Sequence, residues 1–219
     1  MDFGPKLNPQ SGALWPADDY AADKALGLDF ANSLSWRGKP APTEELPDPQ
    51  AWLAWSREHG VLADCAIEPL QARAAAAPDE AAAALVRATA FREALYNLLS
   101  ANCQQEAAKA KDRMLVQDVL ARAMARLRFA RHDGAWSFEL CTDPLDWDSP
   151  LYGPALSAAQ LLTSEYGPRV GVCGRPECLW LFLDLTKNHS RKWCSMQTCG
   201  NVVKARSCYA RKKATRRTP

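Results

Sequence analysis

Two cysteine pairs with the same gap, Cys173/Cys178 and Cys194/Cys199, stand fifteen residues apart near the C-terminus. Nothing else in the chain restricts the fold as much. Each pair can present two thiolates from one tight loop, and two loops complete a tetrahedral shell. With all four positions taken by protein, no site is left for a reactive water, so the motif reads as one structural zinc ion. A segment of roughly 50 residues buries too little apolar surface to be stable alone, and the metal supplies the deficit. Disulfides or an iron–sulfur cluster are rival uses of these thiols, and His189 or Cys208 are rival ligands. Disulfides need an oxidising compartment, and the start MDFGPKLNPQ lacks the pattern of an export signal. Iron–sulfur runs place their ligands closer together. Cys65, Cys103, Cys141 and Cys208 lie singly, and no run approaches the roughly 18 apolar residues of a membrane span. A cytoplasmic protein without a membrane partner is expected.

The charge distribution points to a polyanion. The net charge of +2 hides an asymmetry. From Tyr166 onward there are 12 Lys/Arg against two acids, Glu177 and Asp184, whereas the residues before it hold 15 basic and 23 acidic side chains. This is the pattern of a basic binding module attached to an acidic body, or of a solvated basic tail. Arg191 and Lys192 occupy the turn before the second cysteine pair, and Lys204, Arg206, Arg211 and Lys212 follow it on a helix where Lys204 and Arg211 share a face. Such residues neutralise backbone phosphates, although part of the charge offsets the roughly −2 of a zinc tetrathiolate. DNA is the expected partner. Phosphate contacts do not exclude RNA, on whose unpaired bases Trp180, Phe182 and Trp193 could stack. A thiol sensor that releases zinc on oxidation, with Cys208 as resolving thiol, is the third reading.

The expected fold is α+β: a mostly helical N-terminal domain with a short β-hairpin over residues 1–166, then a small treble-clef-like zinc module over 167–219. Residues 1–19 read as surface wrapping. Ala22, Leu26, Phe30 and Leu34 recur at helical spacing between Asp19 and Trp36. Asp48-Pro49 is a capped helix start, and that helix runs to Gly60. Helices follow over about 65–76 and 79–103, broken at Pro78, and over 106–125. Leu127 and Phe129 face Trp136, Phe138 and Leu140 across His132-Asp133-Gly134, a hairpin signal. Residues 154–165 lead as a helix into the module. There, alternating Leu179, Leu181, Leu183 and Leu185 suit a strand and hairpin beside the metal, followed by a helix whose Val202, Ala205 and Tyr209 pack against it. Trp52, Trp55 and Trp136 are read as core.

Asp29, Asn32, Ser33 and Arg37 cluster at helical spacings. They form either a pocket for a small polar effector, with Arg37 as anion partner, or a hydrogen-bond network closing the helix terminus. There is no Gly-rich phosphate loop and no nucleophile–base pairing, and the three histidines stand in loop-like contexts, so an enzyme is not expected. The expected partners are DNA, an effector and, as a homodimer, a second copy.

The segment RVGVCGRPECLWLFLDLTKNHSRKWCSMQTCGNVVKARSCYARKK resembles the CGNR zinc finger, through Cys173, Cys178, Trp180, Phe182, Asp184, Ser190, Arg191, Trp193, Cys194, Ser195, Met196, Cys199, Gly200 and Asn201. Upstream, LGLDFANSLSWRG is similar to the opening motif of the ABATE domain that precedes this finger. The resemblance implies a bacterial, stress-linked transcription regulator that contacts DNA. Val202 stands where the family has arginine, which removes one proposed contact, and Ser33 replaces the motif threonine while keeping its hydroxyl.

Overall fold

The protein is described from a computed structural model, over residues 25–132 and 135–215. The expected surface wrapping by residues 1–19, the helical pattern before Ala25 and the tip Asp133-Gly134 lie outside the described residues. Helix α4 (Pro78–Gln104) is the axis of the body. It runs 27 residues because Pro78 starts it without needing an N–H partner, and Gln105 in a left-handed conformation (φ 56°) ends it. Its Ala88, Phe91, Leu95 and Leu99 are fully buried. Around it pack α1 (Leu26–Asn32), α2 (Pro49–Glu58), α3 (Asp64–Ala76), α5 (Ala110–Ala125) and α6 (Ser149–Thr163). Phe30 lies 5.7 Å from Phe91 and 5.4 Å from Trp55, edge-on to the latter, so one aromatic cluster locks α1 and α2 to α4. Asp48 accepts a hydrogen bond from the Ala51 amide, making the expected cap. Among the described residues no helix is long and apolar enough to cross a membrane.

Strands are few. Strands β1 (Leu34–Ser35) and β2 (Thr43–Glu44) form a minimal antiparallel pair. Strands β3 (Leu127–His132) and β4 (Ala135–Leu140) form the expected hairpin, with Phe129 opposite Phe138 and Arg131 opposite Trp136. Among the described residues its base reaches the core, through half-buried Leu127 and Leu140. Trp136 is 64% exposed and Phe129 68%, which corrects the assignment of Trp136 to the core. Helix α6 begins at Ser149, five residues before the expected start; Pro150 sits in its first turn and Pro154 is accommodated inside it.

The C-terminal module departs most from expectation. Strand β6 (Leu181–Leu183) does not turn into a hairpin after the first cysteine pair. It pairs backwards, antiparallel, with β5 (Val170–Val172), so that Cys173 and Cys178 occupy the connection between the two strands. Val170, Leu181 and Leu183 are buried in the same core cluster as α4. The module's only ladder among the described residues is therefore part of the body's core.

Candidate metal centre

After β6 the chain makes a tight turn that brings the second cysteine pair back to the first. Asp184 organises it. One carboxylate oxygen accepts from the amide and hydroxyl of Thr186 (2.8 and 2.6 Å), and the other accepts from the Arg191 amide (2.8 Å). These hydrogen bonds outweigh burial and hold the Asp184 pKa below its ordinary value. Ser195 then caps the Thr198 amide at the start of a single π-turn (Met196–Gly200) that carries Cys199 into helix α7 (Asn201–Thr215). Gly200 is required there, since a side chain would meet Met196 Sδ at 2.6 Å and the Trp193 ring at 2.8 Å.

The four sulfur atoms of Cys173, Cys178, Cys194 and Cys199 all lie within 4.8 Å of one another. Cys178 and Cys194 are 3.6 Å apart, and Cys194 and Cys199 are 3.7 Å apart. A zinc ion about 2.3 Å from four tetrahedral thiolates would space them about 3.8 Å apart, so the set fits that ion closely. Burial pushes the Cys178 thiol up to about 11 and Cys194 higher still. Burial also opposes ionisation of Cys173, but amides of Cys194 and Arg175 outweigh it and its pKa is lowered. Zinc reverses this balance by taking all four as thiolates and releasing their protons. The surroundings are mostly cationic and aromatic. Trp36, Trp180 and Trp193 pack on the cluster. Arg175 pairs with Glu177 at 3.1 Å and donates to the Thr198 carbonyl at 2.9 Å, tying the first knuckle to the second.

The N-terminal motif is the seat of this module. Asn32, 3% exposed, donates from Nδ2 to the Leu181 carbonyl and accepts at Oδ1 from the Leu181 amide, both at 2.9 Å. It thus completes the free edge of β6 as a strand would. Tyr96 donates to the Leu179 carbonyl at 2.8 Å, and Asn102 to the Gly167 carbonyl at 3.0 Å. Trp36 (φ 56°) and Leu179 (φ 57°) hold left-handed backbone on the two sides of the seam. Such conformations cost on the order of 1–3 kcal/mol each and persist where packing enforces them. At Gly38 a methyl group would fall 1.8 Å from the Pro176 carbonyl oxygen. Gly38→Ala is therefore expected to lower stability by about 1–3 kcal/mol. Thermal melts check it: an unchanged midpoint would mean that the two loops do not meet in solution.

The remaining motif residues go to different partners. Arg37 pairs with Glu93 at 2.6 Å, donates to the Ala31 carbonyl at 2.9 Å and stacks 3.8 Å over Tyr96. Glu93 also accepts from Arg92 Nε, and buried Arg92 holds Glu44 through two bonds of 2.5 and 2.7 Å. Ser33 donates to the Phe30 carbonyl at 2.8 Å. Burial raises the Asp29 pKa against the influence of His59. The bonds of Ser33 and of Arg37 to α1 carbonyls are the helix-terminus network; Asn32 serves the zinc module instead. Sequence reasoning missed Trp36, Tyr96, Glu93 and Arg175, because each acts on a segment far away in the chain.

The basic candidates also separate. Arg191 donates to the carbonyls of Leu183 (3.3 Å), Trp193 (2.9 Å) and Cys194, and its guanidinium lies 4.8 Å over Phe182. It braces the turn. Arg206 is paired with Glu177, which its hydrogen bond helps hold at about 2. Lys192 and Lys204 are exposed. The side chains of Arg211 and Lys212 lie outside the described residues. Ala205 and Tyr209 are exposed, Tyr209 at 72%, so the expected packing of that stripe on a hairpin is not made. Val202, at the family arginine position, is half-buried.

Residues 169–212 match the model of the CGNR zinc finger, and residues 24–165 match that of ABATE, described as "Putative stress-induced transcription regulator". No curated protein matches the chain. The finger match and the sulfur geometry together identify Cys173, Cys178, Cys194 and Cys199 as the ligands of one structural zinc ion.

Proposed function

The chain belongs to the ABATE family and carries a CGNR zinc finger, and from that premise we propose that it is a DNA-binding transcription regulator that acts by binding, without a catalytic step. The observation that carries the reading is the state of α7. From Lys204 to Tyr209 every side chain is exposed, so the helix leaves the metal centre with no face packed along that stretch. A helix about 10–12 Å wide matches the roughly 12 Å major groove of B-DNA. Zinc anchors its first turn, and the module's seat on the body sets its direction. Lys204 with Arg211 and Lys212 supplies phosphate neutralisation, and Lys192 adds charge beside the second knuckle. Glu177 restrains Arg206 until a phosphate competes for it.

The test is a binding titration of the zinc-loaded chain with duplex DNA at several salt concentrations. Affinity is expected to fall steeply with salt, and joint Lys204→Ala, Arg211→Ala and Lys212→Ala substitution to reduce the slope of log affinity against log salt by about 3. A salt-insensitive complex, or one indifferent to the triple substitution, would remove the reading. Preferential competition by RNA would reassign the helix to that polymer.

A further inference from the structure

A cavity of about 370 Å³ opens where the body meets the zinc module, beside the helix-bearing knuckle. Trp36 lines it from the body and Trp180 from the module. Cys194, half-buried, lines it as well; Cys178 and Cys199 border it at 5% and 0% exposure, and Cys173 does not border it. The cavity therefore lies over one outer face of the sulfur tetrahedron. It is not the interior that the ion fills, since sulfurs 3.6 to 3.7 Å apart leave room for one ion only. Its volume lies at the small end of ligand sites, the size of a single ring system with a substituent.

We infer that this cavity binds a heterocyclic base bearing an exocyclic amino group, with its phosphate outside the mouth. Trp180, and Trp36 once Lys39 leaves its ring, line the cavity with indoles, and any base can stack on an indole face. The half-buried Cys194 thiolate offers an acceptor, so the ring's edge must donate; amino groups and ring N–H do so, and an ionised acceptor makes the bond stronger. Thr198, exposed at the lining, adds a hydroxyl. Lys39 holds its ammonium 4.0 Å from the Trp36 ring centroid on a flexible stem and can swing to a phosphate. Arg175, 4.9 Å from the same ring, is already committed to Glu177 and Thr198. Two sources present this chemistry: a free purine nucleotide acting as effector, or an unpaired base in a bound strand. The second source rests on the nucleic-acid reading; the first does not.

The experiment follows the indole N–H resonances of the zinc-loaded full chain during titration with AMP, with a hairpin oligonucleotide carrying one extrahelical adenine, and with the fully paired control. Thr198→Phe narrows the cavity without touching a metal ligand, and Trp180→Leu removes a wall. Zinc content and duplex binding of each variant, measured in parallel, show that it is folded. Saturable shifts of the Trp36 and Trp180 signals with AMP, weakened about tenfold or more by either variant, establish a free nucleotide site. The same loss confined to the extrahelical adenine assigns the site to a strand. No saturable shift with either ligand, or shifts equal in wild type and variants, overturns the inference. Failure of the wild-type chain to bind duplex DNA would instead sink the proposed function and leave the AMP result standing by itself.

Discussion

Replacing Cys199 with serine is expected to abolish zinc binding and to lower the melting temperature of the whole chain, not merely to release its C-terminal module. Cys199 is fully buried and lies in the turn that leads directly into α7. Structural zinc contributes an apparent binding energy on the order of 10–16 kcal/mol in finger peptides, comparable to or above the ~5–15 kcal/mol that stabilises a typical domain. Residues from Gly167 onward therefore lose their fold. The body then loses β5 and β6, whose Val170, Leu181 and Leu183 fill its core. Burying a side chain of that size is worth roughly 1.5–3 kcal/mol, and for a chain of this length each kcal/mol moves the midpoint by about 2–4 °C. A fall of 10 °C or more is the expected result, and chelation of the wild-type protein should reproduce it. Zinc loss with an unmoved body transition would show two independently folding units and would remove the coupling argued from the shared core. Retention of a full equivalent of zinc would remove Cys199 from the ligand set.

What could be read from the sequence was governed by distance along the chain. The equal cysteine gaps place two thiolates per loop within five residues, and Asp48-Pro49 and Pro78 start helices through local stereochemistry; all of these hold in the structure. The helix expected over 79–103 was legible for the same reason, since its apolar Leu85, Ala88, Phe91, Leu95, Leu98 and Leu99 repeat with a 3.6-residue period, and α4 buries Ala88, Phe91, Leu95 and Leu99. Pairing was not legible. Leu179 to Leu185 alternate in sequence as a strand would, but only Leu181–Leu183 form one, with all three buried, while Leu179 is left-handed (φ 57°) and Leu185 is 52% exposed; nor does alternation say that β6 pairs back onto β5. Likewise Phe129 and Trp136 share one face of their hairpin, but nothing local says that both are exposed while the base of the hairpin meets the core. The motif around Asn32 was visible as a cluster, yet its partner, Leu181, stands 149 residues away. A buried amide that completes a strand edge looks, in sequence, like a ligand-binding or capping residue.

Asn32→Asp is expected to loosen the seat of the zinc module while leaving the zinc in place. The substitution conserves volume and keeps the acceptor that takes the Leu181 amide. It replaces the donor to the Leu181 carbonyl with a second oxygen, so two acceptors face each other in a site only 3% exposed. At neutral pH the introduced carboxylate is either charged and unpaired, which costs about 3–5 kcal/mol, or protonated at a cost that rises with pH. The sign follows from the direction of the shift. Burial raises the folded-state pKa of the new carboxyl above its unfolded value of about 3.9. Its protonated form can donate to Leu181 as the amide did. The destabilisation is therefore absent below the unfolded pKa and grows as pH rises towards the raised folded value. The difference in melting midpoint between variant and wild type, taken at each pH so that thiol protonation cancels, should be larger at pH 8 than at pH 5.5. Proteolysis at the seam should increase in the same direction, with about one zinc per chain retained because all four sulfurs are untouched. A pH-independent difference would mean that the carboxyl is solvated and the seam open in the native protein. Loss of zinc alongside it would show that the seat and the metal centre are one structural unit, with Asn32 as much a part of the zinc site as the loops that hold the cysteines.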